Sequence, residues 1–220
     1  NVPLVLLGTG ILWFGWFGFN AGSALGANGT AVQAFMNTFL AAAAAGLAWA
    51  VTERIKDGHF TNLGAASGIV AGLVAITPAC GFVSSMSSIY IGAAAGVICA
   101  FAVHLKFKAG YDDALDVVGV HFVGGLVGSL MIGLFADSAY FGADHLDGLF
   151  YGGGLKLLAE QAIANGVTIV YSGIMTALIL LALRATIGIR ASEEAELSGL
   201  DIAEHAETAY NIGEVTMGRA

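Results

Sequence analysis

Charged residues are scarce in this chain. Lys, Arg, Asp and Glu together make up 11% of its 220 residues, whereas a soluble domain carries about 25%. Hydrophobic residues make up 57%, and the mean hydropathy is +0.82. This composition excludes an ordinary soluble domain and places the chain among membrane proteins. The formal net charge of -8 gives no reason to expect nucleic acid as a partner.

Cysteine and proline are also rare. Cys80 and Cys99 have no spacing typical of a metal site or a disulfide framework. The sequence contains no glycine-rich phosphate loop, nucleophile elbow or metal-ligand motif, so we expect neither an enzyme nor a cofactor or metal. No charged segment precedes the first apolar run, and we therefore expect no signal peptide. Pro78 is expected to end or kink a helix.

Long apolar runs, by contrast, are abundant. A helix that spans a bilayer needs about 20 mostly apolar residues. Six stretches reach or approach this length: Pro3–Leu25, Val32–Val51, Leu63–Cys80, Ile89–Val103, Val117–Phe135 and Ala162–Leu183. The sequence predicts an all-α membrane protein, a polytopic bundle of six transmembrane helices over residues 1–190. A polar, acidic tail follows over residues 191–220.

The basic residues predict the orientation of this bundle. With six spans, one side of the membrane carries Arg54, Lys56, Lys106, Lys108, Arg184 and Arg190. The opposite loops carry only Lys156. The positive-inside rule makes the first side cytoplasmic, so the tail from Ala191 onwards is expected in the cytoplasm.

Glycine recurs at helical spacing within the apolar runs. Three sets lie on one helix face each: Gly64, Gly68 and Gly72; Gly92 and Gly96; Gly124 and Gly128. Small residues at this spacing let helix backbones approach closely in lipid. The pattern predicts a tightly packed bundle.

Aromatic and polar residues share one face of the first span. Trp16, Phe19, Asn20 and Ser23 follow the spacing i, i+3, i+4, i+7, which aligns them on a helix. Tryptophan attracts cations, and a hydroxyl accepts a hydrogen bond from an ammonium-like donor. This face is therefore a candidate site for a small cation arriving from outside. The alternative is helix packing combined with an interfacial aromatic belt.

His121 lies within the fifth apolar stretch. An ionisable residue in a membrane segment is a functional candidate, because imidazole can relay a proton or line a polar path. The alternative is a core histidine bonded to a neighbouring helix. Asp112, Asp113 and Asp116 precede it and are expected to cap the helix, with an acidic exit for a cation as the alternative.

Four segments carry a family resemblance: GWFGFNAGS, GLVAITPACGFV, DDALDVVGVHFVGGLVG and GLDIAEHAETAYN. In them the sequence resembles the ammonium transporter family (Amt/Mep/Rh), and most of all its bacterial Amt branch. Family members have eleven spans, built as two inverted five-span repeats and a last helix. The chain resembles the second repeat, the last helix and the tail. We therefore expect that it lacks a first repeat and does not transport alone.

The resemblance also implies roles for individual residues. Trp16 and Ser23 match the outer recruitment site for ammonium, Phe19 matches a gating aromatic, and His121 matches the second of two pore histidines. Asn20 matches a neighbouring structural position, and Thr77 and Asp116 match supporting positions near the pore. Such a protein recruits ammonium and conducts ammonia, with the proton moved separately. The alternatives are an ammonium-sensing membrane receptor and an Rh-type gas channel.

The resemblance further implies a homotrimer in the plasma (inner) membrane, surrounded by lipid. A PII-type regulatory protein is a possible partner on its cytoplasmic face. The tail departs from the family in one place, since His205-Ala206-Glu207 stands where the family often has His-Gly-Glu. That departure weakens the case for a tail that couples neighbouring subunits.

Overall fold

A computed structural model describes residues 1–141 and 146–209 of the chain. Over these residues the secondary structure is helical, and the α-helices are α1 Val2–Gly22, α2 Gly29–Asp57, α3 Asn62–Ile76, α4 Ser85–Ala102, α5 Leu105–Ala109, α6 Val123–Phe135, α7 Ser138–Phe141, α8 Lys156–Thr186, α9 Glu193–Ser198 and α10 Leu200–His205. A π-helical turn over Val118–Phe122 precedes α6, and a 3₁₀ turn over Leu149–Tyr151 precedes α8. The prediction of an all-α bundle is confirmed.

Among the described residues, five helices are long and apolar enough to cross a membrane: Val2–Gly22, Gly29–Asp57, Ser85–Ala109, Val118–Phe135 and Lys156–Thr186. The third predicted span is shorter than expected, because α3 has 15 residues and ends at Ile76. At 1.5 Å per residue it is about 22 Å long, less than the ~30 Å of a bilayer's hydrocarbon core. The chain continues as turns through Pro78, as the proline predicts.

Short polar segments begin and end these helices. The side chains of Asn28, Thr61 and Ser84 accept hydrogen bonds from the first backbone N–H groups of α2, α3 and α4. These contacts satisfy donors that have no partner within the helix. Gly58 (φ 80°) and Gly110 (φ 71°) end α2 and α5 in the left-handed conformation, which glycine adopts without a steric cost.

Helices α2, α3, α4 and α6 alternate in direction, as contacts at their two ends demonstrate. At one end, which we call the basic end, the Lys56 Nζ lies 2.9 Å from the His104 Nε2, and the Lys106 Nζ lies 2.6 Å from the Asp116 Oδ1. At the opposite end the buried Asn37 amide donates to the carbonyls of Cys80 and Val83, both at 2.8 Å. The Asp137 N–H donates there to the Phe82 carbonyl at 3.0 Å.

Glycine allows the central helices to pack backbone against backbone. Gly92 and Gly96 of α4 lie directly against the Ala41 and Ala45 backbones of α2, and a side chain at either glycine would collide with those carbonyls. A Cβ at Gly72 would lie 2.5 Å from the Ala41 oxygen. The predicted close packing of backbones is confirmed here and at Gly68 and Gly128, whereas Gly64 lies against the Glu53 side chain. Gly124 differs, since a Cβ there would lie 3.5 Å from the Cys99 Sγ, an ordinary contact.

The chain divides into two compact units, Asn1–Val167 and a second that begins at Thr168. Within the second unit, Ser192 caps α9, and α10 ends at Ala206 with a φ of 54°. The side chain of Asp201 accepts a hydrogen bond from the Ala209 N–H at 2.9 Å. Residues 210–220 of the predicted tail lie outside the described residues. The predicted division at residue 190 stays a prediction.

Candidate functional site

Helix α1 carries an open aromatic face. It packs on α2 through stacked rings, with centroids 5.7 Å apart for Trp13 and Phe39 and 4.1 Å apart for Phe17 and Phe35. Away from these stacks lies a groove of about 380 Å³, lined by Ile11, Leu12, Gly15, Trp16 and Phe19. The groove is an exposed cleft, and two of its five lining residues, Trp16 and Phe19, are aromatic.

Trp16 is fixed in this groove by a hydrogen bond. Its indole Nε1 donates to the Thr77 Oγ1 at 2.8 Å, and that hydroxyl donates in turn to the Leu73 carbonyl at 2.7 Å. Phe19 meets Trp16 edge to face, with ring centroids 5.4 Å apart, and is 61% exposed. Two rings are thus held together at the turn that follows α3, and one of them is largely uncovered.

Ser23 and Asn20 have different surroundings. The exposed Ser23 hydroxyl donates to the Phe19 carbonyl at 2.8 Å, which leaves its oxygen lone pairs able to accept a hydrogen bond. Asn20 is 4% exposed and donates to the Thr38 Oγ1 at 2.9 Å. The Ser23 side chain is therefore exposed on the surface of α1, whereas the Asn20 side chain links α1 to α2 by a hydrogen bond.

His121 lies on the π-helical turn Val118–Phe122, where the Val123 N–H bonds back five residues to the Val118 carbonyl. Gly119 presses this turn against α4, since a Cβ there would lie 2.7 Å from the Val103 Cα. The His121 side chain is exposed, and among the described residues it has no hydrogen-bond partner. Single π-helical turns within α-helices often occur at functional sites. The sequence pattern gave no sign of this one.

Two of the three aspartates before this turn, Asp113 and Asp116, contact Lys106. The Asp113 carboxylate accepts from the Val117 and Val118 N–H groups at 2.8 and 2.9 Å, so its predicted capping role is confirmed. Asp116 has a φ of 56° and pairs with Lys106. Sequence reasoning missed Lys106, because nothing in the spacing links it to a residue ten positions later.

The structure brings together Trp16, Phe19 and Thr77. Ser23 lies one turn further along α1, bonded to the Phe19 carbonyl, and Asn20 is turned towards α2. His121 and Asp116 lie on and beside the π-helical turn. Helix α3 contacts both groups, because it packs on α1 and on that turn. Within the described part of the chain, no group of three or more His, Cys, Asp or Glu residues is placed to hold a metal ion.

Comparison with known proteins identifies the family. Residues 1–210 match the model of the Ammonium Transporter Family. The chain is 55% identical over 215 residues to an ammonium transporter of Mycobacterium tuberculosis strain H37Rv, a match that covers 96% of this chain and 45% of that protein. It is 56% identical over 215 residues to an ammonium transporter of Aquifex aeolicus, covering 96% and 49%.

Comparison with solved structures identifies the same family. The crystal structure of Candida albicans Mep2 superposes with a TM-score of 0.82 at 37% identity, over 88% of this chain and 44% of that one. A structure described as a sensor Amt protein gives a TM-score of 0.82 at 33% identity, over 93% and 49%. The chain thus spans about half the length of the relatives it matches. These matches, with the apolar helices described above, show that the chain is a multi-pass membrane protein of the ammonium transporter family, whose members are transporters and not enzymes.

Proposed function

We propose that this chain forms the part of an ammonium transporter that captures ammonium at Trp16, Phe19 and Ser23 and lines the conducting path with His121. The observation that carries the proposal is the open groove on α1, in which a hydrogen bond to Thr77 holds Trp16 beside the exposed ring of Phe19.

The groove and the neighbouring Ser23, one turn further along α1, suit ammonium in two respects. A cation over an aromatic ring gains about 0.5–2 kcal/mol, depending on how far it is desolvated. The Ser23 oxygen keeps its lone pairs and accepts a hydrogen bond from an N–H donor, which sodium and potassium ions lack. Together the rings and the hydroxyl favour a cation that can also donate hydrogen bonds.

Conduction then requires the loss of a proton. A charge at the centre of a bilayer costs about 2.5–3.5 kcal/mol or more, so neutral ammonia crosses the apolar path more easily than ammonium. Phe19 gates entry to the path. His121 offers one donor and one acceptor in its neutral form and moves the proton separately from the ammonia.

The family and the distribution of charge support a wider proposal. The basic end with Lys56 and Lys106 faces the cytoplasm of a cell whose plasma (inner) membrane holds the protein, and the tail lies on the same side. The complete transporter is a homotrimer, and a PII-type protein regulates it from the cytoplasm. Asn20, Thr77 and Asp116 support the site without contacting the substrate.

A chimaera tests the proposal. In it this chain replaces the matching half of the Aquifex aeolicus relative, and ammonium-dependent current is measured in proteoliposomes. Trp16→Leu is expected to raise the half-saturating ammonium concentration roughly 2- to 30-fold, the range that corresponds to the cation–π energy. His121→Ala is expected to lower the maximal current and the selectivity for ammonium over potassium.

Matched controls are available on α1. Phe14 is 78% exposed but does not line the groove, so Phe14→Ala should leave the current unchanged, whereas Phe19→Ala should alter it. If His121→Ala kept full current and full selectivity, the pore role would be wrong. Equal effects of Phe14→Ala and Phe19→Ala would remove the case for a gate.

A sensor is the second candidate, because a sensor Amt protein is among the structural relatives. A sensor would bind ammonium at the same groove with little flux. Binding that depends on Trp16 in a chimaera without measurable current would favour it.

A further inference from the structure

We propose that Lys106 is a positioning residue for His121, which it orients through Asp116 and the π-helical turn between them. This inference rests on the proposed pore function of His121. It assigns a role to a lysine that lies outside the recruitment groove and the conducting path.

Lys106 closes the loop that leads into the π-helical turn. Its Nζ lies 2.6 Å from the Asp116 Oδ1 and donates to the Asp113 carbonyl at 2.8 Å. The Lys106 and Asp116 side chains are 17% and 32% exposed, so solvent screens this pair less than an open surface pair. Among the described residues, the buried Asp116 Oδ1 has no other partner.

Asp116 has an uncommon backbone conformation that such a partner helps to hold. Its φ of 56° lies in the left-handed region, which residues other than glycine adopt uncommonly, although aspartate does so more often than most. A residue stays there only where its surroundings hold it. Lys106 holds Asp116 in this conformation, because it binds both the carboxylate of Asp116 and the carbonyl of Asp113.

The conformation of Asp116 sets the start of the helix that carries His121. The Asp116 carbonyl accepts from the Val120 N–H at 2.8 Å, and the Asp113 carboxylate accepts from the N–H groups of Val117 and Val118. The next turn is π-helical, with one residue more per hydrogen-bonded ring than an α-helix. Shifting the helix by one residue rotates a side chain by about 100° around the axis. Loss of the Lys106 contact therefore allows His121 to turn away from its present direction.

The same α5 helix provides a matched control. Lys108 has the same charge and lies two residues away, but within the described part of the chain it makes no hydrogen bond or ion pair. If the current depends only on positive charge at the basic end, replacing either lysine should lower it. If the current depends on the contact with Asp116, only replacement of Lys106 should lower it.

The test uses the chimaera described above. Lys106→Met is expected to lower the maximal ammonium current at least fivefold and to reduce the ammonium-to-potassium selectivity. The half-saturating concentration should stay unchanged, because recruitment takes place on α1. Lys106→Arg, which keeps the charge, should retain at least half the current, and Lys108→Met should behave as the parent.

A second variant separates positioning from folding. Glycine adopts a positive φ without a partner, so the double variant Lys106→Met with Asp116→Gly should recover most of the current lost in Lys106→Met. The proposal is overturned if Lys106→Met at normal abundance keeps its current and selectivity, or if the glycine variant restores nothing. A His121→Ala protein with full current would instead overturn the proposed function itself.

Discussion

The substitution Gly128→Ala on α6 should destabilise the chain, although alanine favours helices. A Cβ at this position would lie 2.6 Å from the Ala75 carbonyl carbon and 2.8 Å from the Ala75 Cα. Carbon atoms in contact are normally about 3.5–4.0 Å apart, so α3 and α6 would have to separate by roughly 1 Å. Overpacking of this kind costs about 1–3 kcal/mol.

Gly125 on the same helix provides the control. A Cβ there would meet no described atom within 4 Å, and replacing a helical glycine with alanine gains about 0.5–1 kcal/mol. The two variants should therefore change stability in opposite directions and differ by at least about 1.5 kcal/mol, which is roughly tenfold in the folding equilibrium constant.

Reversible unfolding of the purified chain in mixed micelles, followed by circular dichroism, measures both variants under the same conditions. If Gly128→Ala were as stable as Gly125→Ala, the close approach of α3 and α6 would not contribute to stability as argued.

Three further predictions concern the basic end and the tail. Glu53→Ala should cost about 1–3 kcal/mol in the same unfolding assay, because the Glu53 carboxylate accepts from the Thr61 N–H at 2.8 Å and from an indole at 3.1 Å. Ala206→Gly should stabilise the end of α10 by up to about 1 kcal/mol, since Ala206 has a positive φ. Slower amide exchange in α10 would demonstrate the gain in stability. The Ala209 N–H lowers the pKa of Asp201 more than any other group does. This hydrogen bond should therefore be present at pH values above the ordinary carboxyl pKa and be lost as the pH falls through the lowered pKa. The chemical shift of the Ala209 amide reports the loss.

Hydropathy predicted the apolar helices well, because bilayer length constrains them strongly. It failed at the end of the third span. The residues after Ile76 are still apolar, but they form turns whose buried carbonyls bond to the Asn37 side chain. Hydropathy shows that these residues are apolar. It does not distinguish a helix from a turn that is stabilised by the side-chain amide of Asn37.

The candidate site was predictable only in part. Helical spacing aligns Trp16, Phe19 and Ser23, but successive residues on a helix differ by about 100°. Asn20 accordingly turns to Thr38, while Phe19 stays exposed. The bond from Trp16 to Thr77 joins residues 61 positions apart. Contacts of this kind depend on which helices become neighbours, and no local pattern encodes that.

The exposed side chains of Phe19 and His121 differ in what they require from their surroundings. A large apolar ring such as Phe19 can lie against lipid without a penalty, because acyl chains are as apolar as the ring. The imidazole of His121 is exposed on a helix that crosses the membrane, and hydrocarbon satisfies none of its polar atoms. Exposure of an apolar ring therefore requires no polar partner, whereas exposure of His121 does. The histidine requires a polar partner or a water-accessible path, and the described residues contain no such partner. The proposed pore role of His121 therefore depends on surroundings that the described residues do not supply.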